Sequence, residues 1–562
     1  MSKYVRFEVF YPIVNKVICM LVDVKDFVEK IDQKFWNHIT KQAVFRDIVD
    51  YKDISREDFL RNLATSLNNF EHSFNKPDYF YAPKDEGILR KTKVHNLQDT
   101  CIYYYCVKSI QDELSAEIKK NPNVFGGFRM TPDLDLTDED LDRLSYDPRY
   151  ESSLAKNKYR KEWGNYQKLA LGLANRNFDK YVHLDIAHFY DDVNLGILEN
   201  RVKSVVQGKP NILDILFHFL KYSDMRDLGY FPSSVGVPQE ELGDMSRLLA
   251  NFYLAQFDSS ILKILEEMFP APNGFVYTRY ADDLWFCFNG DKEDMPIVIQ
   301  RVSLELQRLK LHLNEKKIEV FDSNEFKKYW HFEQWEKMYA YKMVFEWDLD
   351  LLFQLHKDLL SNQVGRWFSL DNYVIKVITS RGKNVSVISN KVEAEEFISG
   401  ILNTPKMVGR FSDEHREFFI ELLRNYPALK TILKEYLSSK RNIYPSVEFF
   451  VLEILACSIQ EIEDIDFFVS TYFDAVKPYQ WYSRCICIRT LFENIAYLEK
   501  DRKDKLKKII KHMGDSGSNQ SFRERRYSIR FLLHLRDNRG QETLAKYFAK
   551  PDDLSFLNHL KD

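Results

Sequence analysis

Residues Phe275–Phe288 read FVYTRYADDLWFCF. Aromatic and β-branched residues stand on both sides of a tight turn, a pattern that predicts a β-hairpin. The turn carries two adjacent carboxylates, Asp282 and Asp283. Two acids at a hairpin tip repel each other unless a cation lies between them. Mg²⁺ is the usual cation, because it takes hard oxygen ligands and keeps substrate phosphates in its shell. An isolated Asp-Asp pair is more often a solvated turn, so the surrounding chain has to decide.

Upstream, Tyr181–Asp192 reads YVHLDIAHFYDD. Val182, Leu184 and Ile186 alternate with His183 and Asp185, which is a strand period. Asp185 then lies on the face opposite the apolar residues, near the strand end. Tyr190 follows five positions on; Asp191 and Asp192 are read as the start of the next turn or helix, with a metal-ligand role as the alternative. Gly236–Asp258 begins as a loop with Gly236, Pro238 and Gln239 and becomes a helix with Leu248, Leu249, Phe252 and Leu254 as its stripe. Asp244 or Ser246 suits its N-cap. A helix is expected over Met295–Leu311, and LHLNEKKIEVF (Leu311–Phe321) is expected to return as a strand carrying Lys317.

The chain before these segments is less specific. Residues 1–75 look helical, with Phe27, Val28, Ile31 and Phe35 at helical spacing. From Tyr79, two short strands around an Asp85–Gly87 turn present Lys84, Arg90, Lys91 and Lys93. Such charges ordinarily blunt an edge strand, but lysine and the planar arginine fork also suit a triphosphate. A helix is expected over Thr100–Ile118, then the short FGGFRM segment (Phe125–Met130). An acidic loop spans Thr131–Tyr150, and another helix runs from about Tyr159 to Asn177.

Composition limits the function. The chain has 562 residues and a net charge of −4, so any nucleic-acid site must be a local basic groove rather than the whole surface. The length predicts two to four domains. With 42 Phe and 32 Tyr but only 19 Gly and 17 Pro, long elements and short loops are expected. The seven cysteines lack metal-ligand spacing, so free thiols in a reducing cytoplasm are expected. No stretch is apolar enough for a membrane helix and no signal peptide is evident, so no membrane association is expected.

Beyond about residue 345 apolar helices recur: HREFFIELLRNY, VEFFVLEILACSI, WYSRCICIRTLFENI and RRYSIRFLLHLRDN. Tyr482-Ser483 and Tyr527-Ser528 look like the openings of two similar helices, a loose sign of a stacked helix-pair (HEAT-like) repeat; a plain helical bundle is the other reading. Lys500–His512 and Arg523–Arg530 are basic runs, read as solvated faces or as a nucleic-acid contact.

A strand acid beside a hairpin acid pair is what two-metal phosphoryl transfer requires. Asp185 and Asp282 are the expected bridging ligands, Asp283 is auxiliary, and the Ile186 carbonyl is a further oxygen donor.

The same residues resemble a reverse transcriptase. LDIAHFY resembles its first palm motif, YADD the third and LHLNEKKI the fourth. PKDEGILRKTKV resembles the fingers segment that holds the incoming nucleotide, and FGGFR the connector after it. The resemblance runs from about residue 80 to 320. It implies that Asp185, Asp282 and Asp283 bind Mg²⁺, with Mn²⁺ as the alternative ion. It also implies that Lys84 and Arg90 hold the triphosphate, with Gln239 of the second palm motif nearby. Tyr190 would exclude a 2′-hydroxyl, and Lys317 would protonate the departing pyrophosphate. Two departures stand out. Glu240 follows Gln239 where the family usually has Gly, and two residues are added before Ser246, which puts Glu240 and Ser246 in the template and product vicinity. No primer grip or ordinary thumb follows Phe321.

GDMSRLLANFYL and the helical C-terminal half resemble the abortive-infection, defence-associated reverse transcriptases of bacteria (AbiK- and AbiA-like). Some members of that group synthesise DNA without a template, joined to a tyrosine of the protein, and others work with a non-coding RNA. The expected fold is therefore α+β: a fingers-palm domain over 1–345, then an all-α domain over 346–562. The expected partners are dNTPs, the DNA product and, as further candidates, a non-coding RNA, a second copy of the chain or a partner protein. A conventional RNA-templated (retron-like) reverse transcriptase is the alternative within enzymes, and a non-catalytic nucleic-acid-binding scaffold is the alternative outside them.

Overall fold

The computed structural model describes residues 22–37, 39, 55–75, 77–83, 89–127, 130, 158–222, 236–239, 244–342, 347–379, 382–408, 411, 413–439, 444–477, 480–516, 520–535, 538–549, 554 and 557. Lys84, the Asp85–Gly87 turn, Phe128, Arg129, the acidic stretch after Met130, Glu240 and Glu241 lie outside the described residues.

The organising element is a five-stranded sheet of order β3-β5-β6-β4-β7. Its strands are β3 (Val124–Phe125), β4 (Lys180–Asp185), β5 (Phe275–Tyr280), β6 (Asp283–Phe288) and β7 (Glu319–Phe321). β3 runs parallel to β5 and every other pairing is antiparallel. The FVYTRYADDLWFCF hairpin is β5–β6, as its sequence predicts. β4 lies between β6 and β7 and is buried on both sides, so even the polar His183 and Asp185 that alternate with its apolar residues are buried.

Alternation sorts the two faces of the sheet. Val182, Leu184, Leu284, Phe286 and Phe288 join the large core with the helices Leu97–Lys119 and Asp244–Met268. Tyr181, Trp285 and Cys287 join a second, aromatic cluster with Tyr166, Phe326 and Trp330. That cluster comes from the helices Lys158–Arg176 and Ser323–Tyr329 and the residue after the latter. His183, Asp185 and Asp283 share the parity of the aromatic face.

A smaller antiparallel pair, β1 (Asp78–Pro83) and β2 (Leu89–Val94), forms the basic hairpin. The rest is helical, including Val24–Lys30, Gln33–Asn37 and Arg56–Asn68 near the start. From Leu349 to Tyr547 the described residues contain α-helices with one 3-10 segment and no strand. The fold is thus an α+β palm-type domain followed by a helical region. Among the described residues, no helix is long and apolar enough to cross a membrane. The six described cysteines are free, and five are buried.

Four local expectations are corrected. Leu311–Phe321 is not one strand: Glu315–Lys317 is a 3-10 turn and only Glu319–Phe321 pairs with β4. The Asn314 backbone N–H donates to Asp185 O at 2.8 Å and draws the chain into that turn. Ser246 is not a cap: the helix already begins at Asp244, and Ser246 is buried inside its first turn. Tyr527-Ser528 does not open a helix, because Ser521 caps Phe522–Leu533 and sets its start five residues earlier. The pair offered as a repeat signature therefore sits at different depths in its two helices.

The fourth correction concerns the arginine run. Arg523 is buried rather than displayed: Nη2 donates to His95 O at 3.0 Å, and the guanidinium lies 3.5 Å from Asp78 Oδ2. Trp481 Nε1 donates to Tyr79 O at 2.7 Å, and Phe80 packs edge-on against Tyr482. The C-terminal helices thus hold the basic hairpin. In the lysine-rich run, Lys505 and Arg502 both pair with Asp466.

Candidate active site

The hairpin tip is fixed from beneath. Arg279 on β5 is fully buried and donates to both carboxylate oxygens of Asp258, from Nε at 2.9 Å and Nη2 at 2.7 Å. Tyr277 Oη donates to the same carboxylate at 2.7 Å. Arg279 Nη1 also donates to Asn251 Oδ1 at 2.6 Å and to Ala281 O at 3.0 Å, so the turn is tied to the long helix Asp244–Met268. Asn251 Nδ2 in turn donates to Gly127 O at 2.8 Å, which fastens the Gly-rich connector to the same network.

On this base the register sets Asp185 directly opposite Asp283. The Ile186 N–H donates to Asp282 O at 3.2 Å and joins the end of β4 to the turn. Asp185, Ile186, Asp282 and Asp283 therefore meet at one end of the sheet. Lys317 joins them, its Nζ donating to Asp185 Oδ1 at 3.0 Å. Burial opposes the charge on Lys317, but Asp185 outweighs burial and raises its pKa.

The three carboxylates differ in their surroundings. Asp282 accepts no side-chain hydrogen bond from another described residue. Its carboxyl is raised above the ordinary range, first by desolvation and then by repulsion from Asp283 and Asp185. It remains partly open to solvent, which tempers that rise. Burial also opposes ionisation of Asp283, but the Arg366 guanidinium and His183 override it and hold this carboxyl well below the usual range.

Three partners in this cluster were not found from the sequence. Asn314 Nδ2 donates to Asp185 Oδ2 at 3.1 Å. His183 lies 2.8 Å through Nδ1 from Glu319 Oε2 and 3.3 Å through Nε2 from Asp283 Oδ1, with its ring stacked on Trp285. An acceptor at each nitrogen is satisfied only by the imidazolium. Burial works against that charge, yet the two carboxylates raise the His183 pKa. Arg366 Nη2 donates to Asp283 Oδ2 at 3.0 Å from beyond residue 345. The available signals were a histidine inside a buried strand and an asparagine before the Lys-Lys turn; nothing local marked Arg366.

The remaining expected residues are dispersed around this centre. Tyr190, on the short helix Phe189–Asp192, is pushed up to about 12, by burial first, with Arg247, Asp282 and Arg90 as its charged neighbours. Arg90 is exposed on β2 opposite Ala82. Gln239 O accepts from Lys93 N at 2.6 Å, and Gln239 Nε2 donates to Asp191 Oδ2 at 3.3 Å. Gly236 lets this loop cross the short helix, since a β-carbon there would stand 2.1 Å from Tyr190 O. Ser246 faces inward, its Oγ 3.0 Å from Tyr103 Oη.

Among the described residues, no three His, Cys, Asp or Glu side chains converge in metal-site geometry. Asp283 is turned toward Arg366 and His183. Asp185 and Asp282 remain beside the Ile186 backbone. Two carboxylates with hard oxygen atoms fit Mg²⁺, which is commonly held by one or two carboxylates together with substrate phosphates.

No curated protein matches the chain. Among solved structures, apo telomerase from Candida tropicalis aligns at 13% identity and a TM-score of 0.31, covering 77% of this chain and 67% of that one. Telomerase from Candida albicans in complex with the TWJ fragment of telomeric RNA aligns at 11% and 0.29, covering 70% and 64%. Residues 119–331, which contain β3 to β7 and all three carboxylates, match the model of the family Reverse transcriptase (RNA-dependent DNA polymerase), and this stretch is a reverse transcriptase domain.

Proposed function

We propose that this chain is a defence-associated DNA polymerase that adds dNTPs by nucleotidyl transfer. A 3′-hydroxyl, or a tyrosine hydroxyl at initiation, attacks the α-phosphorus of a dNTP. One P–O bond forms, the bond to the β-phosphate bridging oxygen breaks, and pyrophosphate leaves. The observation that carries this reading is the register of Asp185 against Asp283, beside Asp282, inside a reverse transcriptase domain.

Asp185 and Asp282, with the Ile186 carbonyl, would hold Mg²⁺ or Mn²⁺, an ion that would supply charge stabilisation to the attacking and leaving oxygens of an in-line displacement; Asp283, the expected auxiliary ligand, has its oxygens turned to Arg366 and His183. Lys317 is protonated beside Asp185 and half-exposed, so it can donate its proton to the departing pyrophosphate. Tyr190 lies among Asp282, Arg90 and Arg247 and excludes ribonucleotides by filling the space beside the sugar. Arg90 and Lys84 grip the triphosphate, and Gln239 borders the nucleotide.

The division into a fingers-palm part, 1–345, and a helical part, 346–562, belongs to this proposal. The antiphage role rests on the GDMSRLLANFYL segment and the helical C-terminal half. A cytoplasmic location fits the free described cysteines. The test is labelled dNTP incorporation by the purified full chain with Mg²⁺, with and without added RNA template and primer, followed by sequencing of the products. Incorporation that needs the divalent ion supports the reading. Its absence under every combination refutes it.

A further inference from the structure

We propose that Arg366 is a positioning residue of the acid cluster: it holds Asp283 out of the metal-binding set, so that Asp185 and Asp282 alone supply carboxylate ligands. This rests on the polymerase reading of the same site.

Asp283 faces Asp185 across β4 and β6, at a separation of roughly 5 Å between Cα atoms for such directly opposed pairs. A freely rotating carboxylate there could join any ion bound by Asp185. Both of its oxygens are engaged instead. Oδ2 accepts from Arg366 Nη2 at 3.0 Å, and Oδ1 lies 3.3 Å from His183 Nε2. Lys317 and Asn314 engage Asp185 from the turn before β7, and Arg366 engages Asp283 from the far side of the aromatic cluster.

Arg366 is itself held from three directions. Its guanidinium carbon lies 4.5 Å from the Trp330 ring centroid, 5.5 Å from Tyr329 and 5.7 Å from Trp163. Its backbone N–H donates to Tyr329 O at 2.8 Å. Gly365 adopts φ +56°, and a β-carbon on it would stand 2.7 Å from the same carbonyl. His331 Nε2 meets the Val364 carbonyl. The Val364–Arg366 backbone is thus seated on Tyr329–His331. A planar, weakly hydrated guanidinium can stack on these rings and donate to a carboxylate at once, which a lysine ammonium does poorly.

A cation whose side chain is only 12% exposed and is tied this closely to one acid of the cluster acts on that acid's position. Removing it releases Oδ2 and leaves only the longer 3.3 Å His183 contact on Oδ1, so the Asp283 carboxylate can turn toward Asp185 and Asp282. A third carboxylate tightens ion binding and distorts the geometry needed for transfer. A residue that merely fastened the C-terminal helices to the palm would leave ion affinity untouched.

The experiment titrates Mn²⁺ into the purified full chain, reading free ion by electron paramagnetic resonance, with thermal melts and dNTP incorporation alongside. Asp282→Asn should weaken Mn²⁺ binding roughly tenfold or more, while Asp283→Asn should change it less than about twofold. Arg366→Met should tighten Mn²⁺ binding roughly tenfold while incorporation falls, and adding Asp283→Asn should remove that gain. Arg366→Lys, which keeps a cation beside Asp283, should retain near wild-type Mn²⁺ affinity. If Arg366→Met does not fold, the comparison of Asp283→Asn with Asp282→Asn decides. The proposal is overturned if Asp283→Asn weakens Mn²⁺ as much as Asp282→Asn, or if Arg366→Met melts lower with Mn²⁺ affinity unchanged. Wild-type protein that neither binds Mn²⁺ nor incorporates dNTPs overturns the polymerase reading and the proposal together. Incorporation by wild type combined with Mn²⁺ loss in Asp283→Asn overturns the proposal alone.

Discussion

Gly126 lies against the hairpin tip so closely that a β-carbon on it would stand 2.9 Å from the Ala281 backbone nitrogen. The Ala281 N–H donates to Phe125 O at 3.2 Å, so connector and tip are joined at this point. Both Gly126 and Ala281 have positive φ, +95° and +54°. Only glycine takes the Gly126 conformation without strain. Gly126→Ala should lower stability by about 1–3 kcal/mol and shift the turn that carries Asp282. Urea denaturation and dNTP incorporation, measured on the same preparation, should both fall. Wild-type incorporation in a destabilised variant would separate the connector from the site.

The Arg279–Asp258 pair supports the same turn from inside the core. Both side chains are buried and linked through two hydrogen bonds, with Tyr277 as a third partner. Removing one member strands a buried charge, at a cost of about 3–5 kcal/mol. Arg279→Met should therefore unfold at much lower urea than wild type. Replacing both residues with apolar ones should recover part of that loss, because no charge is then left unpaired. Equal midpoints for the single and double variants would refute this account.

The hairpin, the strand carrying Asp185 and the order of the palm elements were legible because strand alternation and turn chemistry are local. The acid cluster followed from residue type and order. Arg366, Asn314 and His183 were not legible as partners, because their roles depend on which chain segments meet. Arg366 stands 83 residues from Asp283, in a stretch whose local pattern is only helical. The Arg523–Arg530 run misled for a related reason: charge density suggests an exposed face, but the burial of Arg523 against the carbonyls of Val94 and His95, at the end of β2 and just after it, is a tertiary fact.

Asp282 gives a pH prediction. Its carboxyl is raised by desolvation and by its two acidic neighbours, so ionisation costs stability in the folded state. A raised acid is least costly below its unfolded pKa, and the penalty grows as pH rises through the folded value. Metal-free wild type should therefore lose stability relative to Asp282→Asn as pH climbs from about 4 to 7. Mg²⁺ should shrink the gap by neutralising the cluster. Thermal melts in chelator and in Mg²⁺ across that range provide the check. The double change Asp282→Asn with Asp283→Asn should meanwhile abolish incorporation without unfolding the protein.

Tyr190 offers a test of sugar discrimination. Its ring belongs to a short helix crossed by the Gly236–Gln239 loop, with Arg90 and Asp282 among its charged neighbours. Tyr190→Ala opens space without removing a charge. Preference for dNTPs over rNTPs should fall by roughly tenfold or more, while folding is retained. Unchanged discrimination in competition assays would remove Tyr190 from the nucleotide site.

The helical C-terminal half should be required for the palm itself to work. Trp481 donates to the backbone of β1, Arg523 to that of β2 and the residue after it, and Arg366 to Asp283. Truncation near residue 345 removes all three and exposes Phe80, which now packs on Tyr482 and Phe449. The truncated chain should aggregate or melt far below wild type, incorporate no dNTPs and give no protection against phage. A milder variant separates docking from folding. Trp481→Phe keeps the ring but deletes the N–H that reaches Tyr79 O, a loss of about 0.5–1.5 kcal/mol. If the hairpin positions Arg90 over the triphosphate, this change should raise KM for dNTPs more than it lowers kcat. A truncated protein that is monomeric, folded and fully active would show that the palm does not depend on these contacts.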